Sequence, residues 1–142
     1  MSNVDRRKFI KNSAAFAGIC CIGSSTILQS CAMLAKSDFV VEEDWVKITR
    51  SKITEGEFVI IEDDRLKHPV YVKHLKKDKY KAMLMRCTHN SCTVQAEGSL
   101  IVCPCHGGTF SDTGKPLSGP VDTALDTFKT YVDDNNVYID LT

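Results

Sequence analysis

An all-β domain is predicted from Trp45 to the C-terminus, and three observations predict it: the apolar runs are short, polar turn sequences separate them, and no segment sustains an apolar period of 3.6 residues. Helix is therefore expected to be scarce. The predicted strands, in order, are 45–49, 57–62, 69–75, 80–86, 99–102, 109–111, 127–132 and 136–140. Lys76-Lys77-Asp78-Lys79 reads as the hairpin loop between the third and fourth, and Asp133-Asp134-Asn135-Asn136 as the loop between the last two. Met83 and Met85 alternate along the fourth strand and read as packing residues. His68, before Pro69 at a strand start, and His74, before the Lys-rich turn, have no second ligand at useful spacing and read as structural.

The chain has 142 residues, enough for one domain, and its 43% apolar content is enough for a small core and excludes a disordered chain. Eighteen Lys+Arg balance 18 Asp+Glu, which argues against a nucleic-acid partner. Seven Cys in so short a chain call for metal ligation, disulfides or covalent anchoring.

Residues 1–30 read as a signal segment, 31–44 as a tether ending in Glu42-Glu43-Asp44, and 45–142 as the folded domain. The segment opens with Arg6, Arg7, Lys8 and Lys11, and its apolar stretch runs from Ala14 to Leu28. At ~1.5 Å per residue that stretch is about 22 Å of helix, shorter than a hydrocarbon core of ~30 Å, so it suits a signal better than a permanent span. Asp5-Arg6-Arg7-Lys8-Phe9-Ile10-Lys11 resembles the twin-arginine signal that exports folded proteins, with Asp5 where Ser or Thr is usual and Ile10 where Leu is usual. Leu28-Gln29-Ser30-Cys31 resembles a lipobox, which implies acylation of Cys31 and a lipoprotein held at a membrane of the bacterial periplasm or cell envelope. Cys20 and Cys21 read as small apolar residues of the signal.

Without residues 1–30 the chain keeps 14 Lys+Arg and 17 Asp+Glu, a net charge of −3. Within it, residues 65–81 carry seven Lys/Arg against one Asp. This stretch is expected to be a solvated hairpin, with a docking surface for an anionic partner or for lipid head groups as the alternative.

The informative constellation is Cys87-Thr88-His89-Asn90-Ser91-Cys92, followed ten residues later by Cys103-Pro104-Cys105-His106-Gly107-Gly108. The two boxes, C-x-H and C-x-x-H with an additional Cys in each, resemble the paired cluster-binding loops of Rieske iron-sulfur proteins of the disulfide-bearing branch. The resemblance implies an antiparallel β-sandwich of small stacked sheets with a cluster-binding subdomain, here within residues 86–120, and one 2Fe-2S cluster per chain. By that resemblance Cys87 and Cys103 ligate one iron, His89 and His106 ligate the other, and Cys92 and Cys105 form a disulfide between the loops. A disulfide needs an oxidising compartment while cluster assembly needs a reducing one, and export of a folded protein reconciles the two. A Cys2His2 zinc site uses the same ligand types but leaves Cys92, Cys105 and the glycine pair unexplained.

Ser118-Gly119-Pro120-Val121 resembles the family's proline loop that covers the cluster, with Leu125 at the spacing of its apolar residue and Asp122 where a second proline is often found. In the cytochrome bc type, a Ser and a Tyr in the second box donate hydrogen bonds to sulfur. Gly108 and Phe110 stand at the corresponding positions here, and neither can donate. A potential below the high end of the roughly −150 to +300 mV Rieske range is therefore expected. The functional expectation is a membrane-tethered electron-transfer protein that passes single electrons between a donor and a cytochrome-like acceptor, a component rather than a free-standing enzyme. The alternatives are a Rieske subunit of a quinol-oxidising, cytochrome bc-like or a molybdenum, arsenite-oxidase-like complex, and a zinc-binding structural lipoprotein.

Overall fold

The protein is described by a computed structural model covering residues 32–33 and 38–142. The signal segment, with Arg6, Arg7 and Cys31, lies outside the described residues. Twelve strands are formed: β1 (Ala32–Met33), β2 (Phe39–Val41), β3 (Trp45–Thr49), β4 (Phe58–Ile61), β5 (Val70–Lys76), β6 (Lys79–Leu84), β7 (Gln95–Glu97), β8 (Leu100–Val102), β9 (Thr109–Ser111), β10 (Pro116–Ser118), β11 (Thr127–Val132) and β12 (Asn136–Asp140). One 3-10 turn, Arg50–Lys52, is the only helical element among the described residues, so the all-β expectation holds.

Eight strands form one sheet in the order β1-β4-β5-β6-β11-β12-β3-β2, and four form a second in the order β10-β9-β8-β7. All pairings are antiparallel except β1 with β4. The centre of the large sheet is covered on both faces, which explains its sequence. Along β4, Val59 and Ile61 enter one core with Val46, Ile48, Val70, Val72, Val137 and Ile139. Phe58 and Ile60, on the opposite face, pack against a second core with Tyr71, Met83, Ile101 and Phe110. A strand buried on both sides reads as the unbroken run Phe58-Val59-Ile60-Ile61 rather than as an alternation. The outer strand β3 faces solvent on one side and alternates strictly between exposed and buried.

The second core is what positions the site, because it also contains Cys87 and Cys103. Met83 and Met85 belong to it, as packing residues should.

Three differences from the sequence reading have physical causes. Ala32–Met33 and Phe39–Val41, both within the stretch read as a tether, pair with β4 and β3, and Phe39 and Val41 are buried, so the sheet takes in residues before Trp45. β7 and β10 are each three residues long and mostly exposed, so no apolar pattern marks them and pairing alone defines them. The β5–β6 hairpin closes on two residues rather than four, with Lys77 at φ 50.

Two of the seven basic side chains in the run 65–81 have carboxylate partners, Arg65 with Asp63 and Lys73 with Asp112 at 2.5 Å, and the run's own Asp78 turns to Arg50, while Glu55 accepts the Lys77 N–H. Acidic residues from other elements thus intersperse it, in keeping with a solvated hairpin.

In the last hairpin the Asp133 carboxylate accepts the backbone N–H groups of Asn135 at 2.8 Å and Asn136 at 2.6 Å and the Tyr138 hydroxyl at 2.8 Å. The Asn135 N–H, then the Tyr138 hydroxyl and the Asn136 N–H, hold its pKa down to about 2. Because the folded value lies below the ordinary one, the contribution of Asp133 to stability is complete above about pH 4 and is lost as pH falls through 2. The stability difference between the parent and Asp133→Asn, followed by thermal unfolding, is therefore expected to shrink between pH 6 and pH 2.

Candidate metal centre

Two six-residue loops with one backbone design form the site. In the first, the Cys87 N–H donates to the Cys92 carbonyl at 2.8 Å and the Ser91 N–H to the Cys87 carbonyl at 2.9 Å. In the second, the Cys103 N–H donates to the Gly108 carbonyl at 2.8 Å and the Gly107 N–H to the Cys103 carbonyl at 3.0 Å. The fifth residue of each loop is left-handed, Ser91 at φ 53 and Gly107 at φ 69. Glycine meets that requirement freely, and Ser91 accepts it without a glycine.

The first residue of each loop, Cys87 and Cys103, lies at its base. Both are free thiols and both are 2% exposed. His89 and His106, nearer the loop tips, are exposed, and their rings meet edge to face with centroids 5.0 Å apart. Cys92 and Cys105 are joined by the disulfide expected from the sequence, across 6.6 Å between Cα atoms. The Cys103 sulfur lies within 4.8 Å of both disulfide sulfurs, but those two are bonded to each other, so only Cys103 of the three offers a thiolate.

A third segment covers the second loop. Gly119, at φ 84, sits so close that a Cβ there would lie 2.9 Å from the Gly107 carbonyl oxygen and 2.9 Å from the Gly108 Cα. Val121 packs on buried Gly108, where a Cβ would lie 2.8 Å from its Cγ1. Leu125 is buried in the second core. The segment is fastened to the first loop as well: the Thr88 hydroxyl donates to the Thr123 carbonyl at 2.9 Å, and Arg86 pairs with Asp126 at 2.6 Å. These fasteners went unread in the sequence, since single Thr, Arg and Asp residues in loops carry no spacing signal. Phe110 is fully buried in the same core as the two free thiols. His68 bonds the Thr93 hydroxyl at 3.0 Å, and His74 lies on Tyr80 with its Nδ1 2.9 Å from the Ile53 carbonyl. Both are occupied structurally.

A family model described as Rieske [2Fe-2S] domain matches residues 33–129. The cytochrome b6-f complex iron-sulfur subunit of Chlorobaculum tepidum is 33% identical over 57 residues, which are 39% of this chain and 32% of that protein. The chain thus spans about a third of the length of the curated relatives it matches. Among solved structures, a chain of the complex of reduced oxygenase and oxidized ferredoxin in carbazole 1,9a-dioxygenase is 27% identical, with TM-score 0.51 over 70% of this chain and 95% of that one. A chain of hyperthermophilic respiratory complex III, at 23% identity, shares the fold with TM-score 0.52 over 64% of this chain and 71% of that one. The donor set fits such a group: two buried thiols and two exposed imidazoles, with no carboxylate in either loop and the other two sulfurs tied up in the disulfide.

Proposed function

The chain belongs to the Rieske [2Fe-2S] family, and from that membership and the paired loops we infer a carrier that relays single electrons, with Cys87, Cys103, His89 and His106 as its ligands. Bound there, a 2Fe-2S cluster supplies a one-electron couple. The observation that carries the assignment is the pairing of two buried free thiols with two exposed imidazoles 5.0 Å apart on loops of one design. Cys87 and Cys103 offer anionic ligands from the protein side, and the neutral imidazoles of His89 and His106 offer ligands on the solvent side. The covering segment and the disulfide keep water from the thiol side, while the exposed histidine edges leave a short path for an electron to a docked partner. Visible absorption that bleaches on stoichiometric reduction supports the reading; a colourless protein contradicts it.

The relay is proposed to serve a cytochrome-like acceptor at a membrane, through acylated Cys31. Matched relatives are subunits of cytochrome b6-f complexes, which makes a complex subunit the second reading, and co-purification of further subunits would favour it. The anchor has its own test. Cys31→Ser is expected to abolish incorporation of labelled fatty acid, and replacing Arg6 and Arg7 with Lys is expected to hold the protein inside the cell. Labelling of the Ser variant equal to the parent, or continued export of the Lys variant, contradicts these assignments.

The missing hydroxyls also make a prediction. Phe110→Tyr adds only an oxygen to a ring already buried among the cysteines, and a donor to an anionic sulfur stabilises the reduced state. If that bond gains about 1–2 kcal/mol on reduction, the midpoint potential rises by roughly 40–90 mV, at ~59 mV per tenfold for one electron. Protein-film voltammetry at one pH measures it. Gly108→Ser is the poorer probe, because its Cβ must displace Val121.

A further inference from the structure

The outer face of β2, β3, β11 and β12 is unlike the polar face expected of a sheet turned to solvent. Val46, Ile48, Val137 and Ile139 point into the first core, so the alternate residues of these strands point out. Outward stand Val40 at 54% exposure, Trp45 at 36% and Tyr131 at 51%, three of the six large apolar side chains exposed among the described residues. The Trp45 and Tyr131 rings meet with centroids 5.6 Å apart, tilted by 52°. Tyr138 pairs with Tyr131 across the strands, and the Lys47 Nζ lies 5.9 Å from the Tyr138 ring centroid. Lys129 is the second cation of the face and stands opposite Asp140, whose carboxylate already accepts the Thr142 N–H at 3.0 Å and the Thr142 hydroxyl at 2.6 Å. Two Lys against one Asp give the outward positions of these strands a net charge of +1, whereas the chain without residues 1–30 carries −3.

We propose that this face docks on the surface of an anionic phospholipid bilayer, with Val40, Trp45 and Tyr131 in the headgroup layer and Lys47 and Lys129 at the phosphates. Trp and Tyr put an apolar body into that boundary layer and keep a polar tip wet, and Lys carries its charge outward on an apolar stem. The docking rests on the Cys31 anchor proposed above. Cys31 stands nine residues before Val40, at most about 30 Å of extended chain, so an acyl group there keeps the face beside the bilayer and a weak contact suffices. A second copy stacked on the face would gather four lysines and two aspartates in one interface core, where lysine is depleted. The tilt between the Trp45 and Tyr131 rings denies a sugar the flat platform it needs. The face also lies on the far side of β5 from the second core, since Val70 and Val72 line the first core and Tyr71 the second. Docking therefore holds the core of Cys87 and Cys103 two sheet spacings, on the order of 20 Å, away from the lipid.

Trp45 is the single Trp of the chain and reports on its own surroundings. The holoprotein, as processed by the cell, is reconstituted in vesicles of phosphatidylethanolamine and phosphatidylglycerol that carry a nitroxide lipid, labelled either just below the headgroup or deep in the acyl chain. Trp45 emission is expected to be quenched several-fold more strongly by the shallow label than by the deep one. Val40→Asp places a carboxylate opposite Lys47, which keeps the strand pair compatible, and is expected to abolish the shallow quenching and to raise quenching by acrylamide several-fold. Lys47→Gln combined with Lys129→Gln is expected to weaken the shallow quenching several-fold. An acylated, vesicle-bound parent whose Trp45 is quenched by neither label overturns the proposal, and so do variants quenched as strongly as the parent. Shielding of Trp45 from acrylamide without quenching by the lipid labels also overturns it and gives the face to a second copy. A protein that carries no fatty acid and leaves the vesicles overturns the Cys31 anchor and the docking with it, so fatty-acid analysis of the same sample separates the two failures.

Discussion

His89→Leu and His106→Leu are each expected to abolish the Rieske-type electron paramagnetic resonance signal of the reduced protein. Either change removes a neutral donor from the exposed side of the site and leaves the buried thiols of Cys87 and Cys103 in place. Leu approximates the volume of imidazole, and both positions are exposed, so the β-framework should survive. Circular dichroism of the variant then separates loss of ligation from loss of fold. His68→Leu is the control, because its ring bonds Thr93 and takes no part in the site. A full Rieske signal from either the His89 or the His106 variant would remove that residue from the ligand set.

The second large effect is expected from Cys92→Ser combined with Cys105→Ser. The bond closes a loop of about 14 residues, and on chain-entropy grounds its loss costs roughly 3 kcal/mol. For a domain of this size that corresponds to a melting temperature lower by on the order of 10–20 °C. Within the folded protein the loss bears most directly on the two loops, because the disulfide ties them together and the Cys103 sulfur lies within 4.8 Å of it. Iron is therefore expected to be released faster than the rest of the fold melts. Calorimetry with and without reductant measures the stability, and chelator-trapped iron measures the release. Equal melting temperatures for parent and double variant would show that the loops are held by their backbone hydrogen bonds and the covering segment instead.

Much of this architecture was legible because each level of the sequence agreed with the next. The strands at 45–49, 127–132 and 136–140 form where the apolar runs and turn residues place them. Phe39–Val41 was obscured by the acidic run that follows it, and its place in the sheet depends on pairing with β3, a long-range fact. Gln95–Glu97 has no apolar face of its own and is a strand only because Leu100–Val102 folds back on it around Gly98 at φ 61. The ligand types were plain in the two boxes, whereas the identical hydrogen-bonding of the two loops was not, since one uses Ser91 and the other Gly107 at the left-handed position. Charge read along the chain misses its pairings: within residues 65–81, Arg65 and Lys73 find Asp63 and Asp112 outside the run, while the run's own Asp78 turns to Arg50. Gly119 was visible as a turn glycine, but its role in letting two backbones approach appears only when the covering segment meets the second loop.

The account is tested most directly by iron and acid-labile sulfide analysis of anaerobically purified protein, with the resonance spectrum recorded after reduction with dithionite. The expected result is about two irons and two sulfides per chain with a Rieske-type signal, from one 2Fe-2S cluster held by Cys87, Cys103, His89 and His106. One zinc per chain with no labile sulfide would contradict it.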